Sequence, residues 1–468
     1  MATRQDQLHS YQFMIQRVIS ALVMRETDPA QTPLRRGVGA VFAGVMIAIL
    51  VGAGFGVYGI FTGIGSLKWK TDGSVVVEKE TGATFVYRGR VLHPMLNYAS
   101  ALLASGGGGQ TYRVNAEELR DTPRGIPAGI PGAPNSLPPA SAHVGAPWTL
   151  CSVPGKDVTG ASAAITALTV GQASSGGTRL GAQGLLVRDS RDQATYLLWN
   201  GHRYRITDPD KLVPALFGAQ VDSASVGTAL VNGVPAGLDI GPIDVPGHGS
   251  ASAAVNGRNS GDVLEAQTGS GPQYYLVFPD GVAPITALQK DIIQAQYSSQ
   301  PQHVSVSEAT AMKRSSHLVA SSDEDVRPPA KVPPLHHAHA DQSVCAEVTD
   351  ASGDEQVVVG STVAAMSKGV RTTEVTGAGA ALADRILVPP GRVAIVRSLP
   401  ADGAGAGTFD VVTDIGQRFP VPSAEALGML GYSPSNAVSM PAGLVHTIPA
   451  GPTLDPSAAL TPATPSGR

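Results

Sequence analysis

The sequence predicts a β-rich α+β protein. A single transmembrane helix precedes an elongated extracytoplasmic domain with a central β core and about four hairpin-containing repeats in a pseudo-two-fold arrangement. Three observations carry that expectation. A charge-free apolar run extends from Gly37 to Leu67. A strand–turn–strand unit recurs along the rest of the chain. The two cysteines, Cys151 and Cys345, both follow the apolar run and sit at matching places in two similar halves.

Composition sets the class. The chain has 468 residues, enough for two or three domains. Only 15% of residues are charged and 5% aromatic, while Gly (55) and Pro (36) are abundant. That mixture favours many turns and short strands over long soluble helices. A net charge of -4 gives no basic surface for nucleic acid.

The run GVGAVFAGVMIAILVGAGFGVYGIFTGIG is long enough to cross a bilayer core, which takes about 20 apolar residues. It is too long for the apolar region of a cleaved signal peptide and lacks a small-x-small cleavage site, so residues 37–64 read as an uncleaved signal anchor. A buried soluble helix is the alternative. Arg4, Arg17, Arg25, Arg35 and Arg36 precede the span and Lys68 and Lys70 follow it, which places the N-terminus in the cytoplasm. Gly52, Gly56, Gly59 and Gly63 have the spacing of a close helix–helix seam.

Residues 1–36 hold one predicted helix. Leu8, Tyr11, Ile15, Val18 and Leu22 recur at steps of three and four, an apolar stripe. Thr3 before Asp6 marks its start and Asp28-Pro29 its stop. Such a stripe needs a cover: a partner protein, the membrane surface, or a second copy of the helix. These five residues are the candidate partner-binding set.

Beyond the span, four hairpins are predicted. The first joins Val75–Val77 to Thr84–Gly89, and the second joins Leu185–Arg188 to Thr195–Gly201. The third joins Val263–Glu265 to Tyr274–Gly281, and the fourth joins Val393–Arg397 to Thr408–Gly416. A Pro-x-Gly turn follows in three of them, at Pro123–Gly125, Pro235–Gly237 and Pro441–Gly443. Gly89 to Gly125 and Gly201 to Gly237 both span 36 residues. The expected division is 65–140 as repeat 1, 141–180 as core strands with Cys151, 181–252 as repeat 2 and 256–319 as repeat 3. It continues with 320–342 as a Pro/His linker, 343–388 as core strands with Cys345, 389–450 as repeat 4 and 451–468 as a disordered tail.

Gly89 to Cys151 is 62 residues and Gly281 to Cys345 is 64, so the halves share one order: repeat, cysteine strand, repeat. Two cysteines in an exported region most simply form one disulfide, two unrelated buried thiols being the alternative. On a pseudo-two-fold arrangement they would lie on neighbouring central strands, Cα atoms about 5.5–6 Å apart.

Chemistry-bearing motifs are scarce. The chain has no Gly-x-x-x-x-Gly-Lys-Ser/Thr loop, no Gly-x-Ser-x-Gly elbow, no Ser-x-x-Lys pair and no His-Glu-x-x-His. His336, His337 and His339 cluster in a Pro-rich stretch without a rigid frame for a metal. His93-Pro94 reads as a turn. No catalytic, cofactor-binding or metal-binding residue is predicted.

Several motifs then point to a family. Arg4-Gln5-Asp6-Gln7-Leu8-His9-Ser10-Tyr11-Gln12-Phe13, Ser20-Ala21-Leu22-Val23 and Pro33-Leu34-Arg35-Arg36 resemble EccB, a core membrane component of type VII (ESX) secretion systems. So do Val91-Leu92-His93-Pro94-Met95-Leu96-Asn97, Ala99-Ser100-Ala101 and Trp148-x-x-Cys151, and the likeness covers essentially the whole chain. It implies one membrane helix per copy and an exported domain of four repeats around a β-rich centre closed by one disulfide. It also implies assembly with EccC, EccD and EccE-like subunits and a homodimer or higher oligomer. The repeats resemble cell-wall-binding modules of phage lysins, which implies peptidoglycan contact. ATP hydrolysis has been attributed to family members, yet no nucleotide-binding motif appears here. The expected function is a structural core subunit of a secretion membrane complex. The alternatives are a peptidoglycan-binding envelope anchor, or an ATPase or hydrolase.

Overall fold

The computed structural model describes residues 3–24, 33–62, 67–156, 160–318, 324, 326–349, 355–373, 375–400 and 407–463. The chain divides into two units, Met1–Trp69 and Lys70–Arg468. The first holds helices α1 (Arg4–Met24) and α2 (Pro33–Thr62). At the start of α1 the Asp6 carboxylate accepts from the Thr3 N–H at 3.1 Å, as expected of a first-turn acid. The expected stop at Asp28-Pro29 lies outside the described residues. α2 opens on Pro33, where a missing N–H costs no intrahelical bond. Its residues 37–58 are long and apolar enough to cross a membrane, and none of them is buried.

The second unit begins with β1 (Ser74–Glu78), β2 (Thr84–Arg88), β3 (Val91–Met95), α3 (Tyr98–Ser105), β4 (Thr111–Val114) and α4 (Ala116–Leu119). Next come β5 (Trp148–Lys156), β6 (Ser162–Val170) and β7 (Thr178–Arg179). Then follow β8 (Leu185–Asp189), β9 (Thr195–Trp199), β10 (His202–Ile206), α5 (Pro209–Phe217), β11 (Ala224–Val226) and α6 (Thr228–Gly233). The second half opens with β12 (Val263–Thr268), β13 (Gly271–Phe278), β14 (Gly281–Ile285), α7 (Ala287–Tyr297), β15 (Gln302–Val304) and α8 (Val306–Ala311). β16 (Val344–Val348), β17 (Glu355–Val359), α9 (Ala365–Lys368), β18 (Val370–Arg371) and β19 (Arg385–Leu387) come next. The chain closes with β20 (Val393–Leu399), β21 (Thr408–Thr413), β22 (Arg418–Val421), α10 (Ala424–Met429), β23 (Val438–Pro441), α11 (Ala442–His446) and α12 (Pro456–Ala459).

Four small sheets share one order: β3-β2-β1-β4, β10-β9-β8-β11, β14-β13-β12-β15 and β22-β21-β20-β23. The predicted hairpins are their first two strands. Each sheet adds a third, antiparallel strand and a fourth, parallel to the first and reached through a helix, as β4 to β1 through α3. Third strands were hidden because three of them contain proline (Pro94, Pro284, Pro420), which ordinarily breaks a strand. They sit at the outer end of the ladder, where a missing donor is tolerated. His93-Pro94 therefore lies in β3 and not in a turn, His93 opposite Val86.

A closing segment runs along each third strand with one repeated pattern. Leu92 N–H donates to Pro123 O and Gly125 N–H to Leu92 O; Arg203, Val282 and Arg418 do the same with 235–237, 313–315 and 449–451. The fourth Pro-x-Gly turn is thus Pro449–Gly451, not Pro441–Gly443, whose residues end β23 and begin α11. The glycine is needed because a methyl group there would run into a third-strand ring: it would lie 2.4 Å from His93 at Gly125, 2.2 Å from Tyr204 at Gly237 and 2.3 Å from Phe419 at Gly451. In the third sheet Ala283 replaces the ring and Ser315 replaces the glycine, so the space is shared the other way.

The seven-stranded central sheet has the order β18-β19-β6-β5-β16-β17-β7. Its inner four strands are two antiparallel hairpins meeting at β5 and β16, with Cys151 opposite Cys345. The edges are exchanged: β7 of the first half completes β17, and β19 of the second completes β6. Equivalent helices α6 and α11 pack on each other, as do α3 with α10 and α5 with α7. The last two contacts pair the first sheet with the fourth and the second with the third, and the first contact joins the second to the fourth, in line with a pseudo-two-fold relation.

Two connections depart from expectation. Residues 326–342 are not a loose linker: Gly184 N–H donates to Pro334 O, His336 N–H to Gly184 O, and Val332 and Leu335 pack on the second sheet's core. The tail is ordered through residue 463 because Leu454 and Ala459 are buried against α3, with Gly129 N–H donating to Thr461 O and Ala463 N–H to Pro127 O. Residues 464–468 lie outside the described residues.

Gly237→Ala should lower stability by about 1–3 kcal/mol, through the overpacking against Tyr204. In a Tyr204→Ala background the same change should cost clearly less, which a double-mutant cycle of thermal or denaturant unfolding measures.

Candidate functional site

The central sheet buries both faces. Leu150, Val344, Ala346 and Val348 face the largest apolar core, while Cys151, Cys345 and Val358 face a smaller cluster. The two sulfurs are bonded, and the Cα atoms are 4.0 Å apart. That is shorter than the expected 5.5–6 Å because the residues are directly opposed on neighbouring antiparallel strands, where close pairs approach to about 4.5 Å. Both cysteines are buried, at 1% and 0% exposure.

Polar groups that no motif announces pin the same sheet. Glu347, on the cysteine face of β16, is 1% exposed; it accepts from Ser174 N–H at 3.0 Å, from the Ser174 hydroxyl, and from Arg179 at 2.8 Å. Asp384 of the second half accepts from the N–H and hydroxyl of Thr166 in the first, at 2.5 and 2.7 Å. In the fourth sheet Asp410 meets Arg418 at 3.1 Å. Burial raises the Asp410 carboxyl above its usual range, opposed by Arg418, and burial lowers the neighbouring His446. Asp280 is held at about 2 chiefly by the Ser315 hydroxyl, which ties the closing segment of the third sheet to its turn. A carboxylate within a buried run has no sequence signal; only pairing across strands reveals its partners.

Leu8, Tyr11, Ile15, Val18 and Leu22 lie along α1, between 40% and 78% exposed. Phe13 and Met14 are exposed too, so the apolar arc is wider than the predicted stripe. In α2 a methyl group added at Gly52 or Gly56 would meet nothing within 4 Å, leaving that seam open, while Gly63 lies outside the described residues. No group of three or more His, Cys, Asp or Glu among the described residues could hold a metal ion.

Comparison with known proteins decides the family. The model of the type VII secretion system ESX-1 transport TM domain B matches residues 1–464. The chain belongs to the EccB family. Similar proteins include the ESX-3 secretion system ATPase EccB3 of Mycolicibacterium smegmatis, 28% identical over 97% of this chain and 89% of that one. The ESX-2 secretion system ATPase EccB2 of Mycobacterium tuberculosis is 31% identical over 83% of this chain and 81% of its own length. Among solved structures, a chain of an intact ESX-5 inner membrane complex matches with a TM-score of 0.59, 26% identity, and coverage of 100% and 97%. The EccB3 dimer from the ESX-3 core complex matches with a TM-score of 0.56, 26% identity, and coverage of 83% and 100%.

EccB proteins are components of ESX secretion membrane complexes. The expected family, the β-rich fold, the apolar N-terminal helix and the disulfide all stand for this EccB chain. The relatives named above carry "ATPase" in their names, but this EccB sequence has no phosphate-cradling Gly-x-x-x-x-Gly-Lys-Ser/Thr loop.

Replacing Cys151 and Cys345 with serine should destabilise the β-rich unit by about 2–5 kcal/mol, the usual range for a lost native disulfide. Calorimetry of the double variant measures this. In the wild type, reduction should be slow without denaturant, because both sulfurs are buried.

Proposed function

We propose that this EccB chain is a structural core subunit of a type VII secretion membrane complex. It spans the membrane once, with residues 1–36 in the cytoplasm and 65–468 outside. A disulfide at the centre of the β-rich unit supports this orientation, because such bonds persist in oxidising compartments. The arginine-rich N-terminal flank supports it independently. Engineered single cysteines, one in residues 1–24 and one in an exposed loop of the β-rich unit, test the topology. An impermeant maleimide applied to intact spheroplasts should label only the second; labelling of the first alone would reverse the orientation.

Partner contact belongs to α1. Its exposed apolar arc carries this reading, since a large apolar surface on a lone helix is stable only when covered. The cover we propose is a cytoplasmic face of an EccC, EccD or EccE-like subunit, with a second copy of this chain joined to the first as in the EccB3 dimer. Ile15→Asp with Val18→Asp should release the chain from the complex on gentle extraction, while the melting of the β-rich unit stays unchanged. Co-purification at wild-type levels would refute the assignment. Contact with the cell envelope is a second role, carried by the cavity described next.

A further inference from the structure

The pseudo-two-fold relation supplies an internal control. Cys151 lies opposite Ala167 and Cys345 opposite Val358, so β6 matches β17, while the outer strands differ: β7 runs antiparallel to β17 and β19 parallel to β6. Glu347, two residues after Cys345, matches Val153, two residues after Cys151. The buried carboxylate is therefore present in one half only.

Its consequence is local. Arg179 is 57% exposed along its side chain, yet its guanidinium is fixed by Glu347 at 2.8 Å and by Gln356 Oε1 at 2.9 Å. A long, mobile side chain is thereby held in one place at the wall of a cavity of about 330 Å³. Trp199, at the end of β9, lines the same cavity, its Nε1–H donating to Ala182 O at 3.3 Å. Gln183, Asn200 and Glu355 complete a lining of planar polar groups.

An indole with fixed guanidinium, amide and carboxylate groups suits a ring with one apolar face and an equatorial belt of hydroxyls. Both charge signs line the cavity, which favours a neutral ligand over an ion. The volume falls at the low end of ligand sites, about 300–1,000 Å³. We propose that this cavity binds a pyranose unit of a neutral glycan. The inference deepens the envelope-contact role and rests on the orientation proposed above only for where such a glycan would be met.

Full-length protein in nanodiscs, free of glycoside detergent, can be titrated calorimetrically with chitotetraose and with cellotetraose. Saturable binding of either supports the site; preference for chitotetraose adds recognition of the acetamido group. Trp199→Ala and Arg179→Ala should each weaken binding about tenfold or more, roughly the loss of one good contact of about 1.4 kcal/mol. Trp199→Phe should retain most of it, and Glu347→Gln should weaken it by loosening Arg179. Heat from neither tetrasaccharide, or equal binding by a folded Arg179→Ala variant, overturns the proposal. The spheroplast labelling result is independent of both, so failure here and failure of the orientation remain distinguishable.

Discussion

The β-rich unit depends on one cross-strand contact, Cys151 against Cys345. These residues fix β5 beside β16 in a single register; β6 and β17 pair directly with those two, and the outer strands pair in turn with β6 and β17. A register slip by one residue would turn the cysteines toward the large core and Leu150 and Ala346 away from it. Covalent closure forbids that slip. It also closes 194 residues of chain, so in the chain-entropy model the denatured state loses freedom worth about 5 kcal/mol.

From that contact the rest follows by repetition. Each half supplies a hairpin to the centre, then sends a later strand, β7 or β19, across to complete the hairpin of the other. Neither half can close its sheet edge alone, so the halves are interlocked by backbone hydrogen bonds as well as by sulfur. The outer sheets are tied the same way. The chain after the fourth sheet crosses to α3 of the first, and the chain after the second crosses toward α7 of the third, where Gln296 bonds both polar groups of Ile243. The tail is the counterpart of that internal connection, which explains why a Pro/Ala/Thr-rich segment is packed and not loose.

What was legible in the sequence is what local chemistry determines. The apolar span needed only length and absence of charge. The first two strands of each sheet carry β-branched and aromatic residues and lead into a glycine after the second strand, and equal spacing exposed their recurrence. The third strands were missed because Pro94, Pro284 and Pro420 argue against a strand until its place at an edge is known. Fourth strands of three or four residues pair through a crossover, and no local pattern encodes that. The Pro441–Gly443 assignment failed because a motif was matched by spelling, whereas Pro449–Gly451 stands where Phe419 demands a missing Cβ. For the site the disulfide was legible by count, but Glu347, Arg179 and Trp199 are far apart in the chain and meet only in the folded sheet.

Repetition within one chain separates structural from functional residues without reference to any other sequence. Where all four sheets show the same backbone pattern, the side chains compensate: ring against glycine in three, Ala283 against Ser315 in the third. Such coupled exchange preserves packing, and a residue that takes part in it is explained by the fold. Glu347 is not explained this way. Its counterpart Val153 fills the equivalent place at no desolvation cost, beside an edge strand that runs the other way. Keeping a charge in that interior is favourable only with good partners, and the partners found are Ser174 and an arginine whose other side faces a cavity. A group that burdens the core and orders a surface residue owes its presence to what that surface residue does.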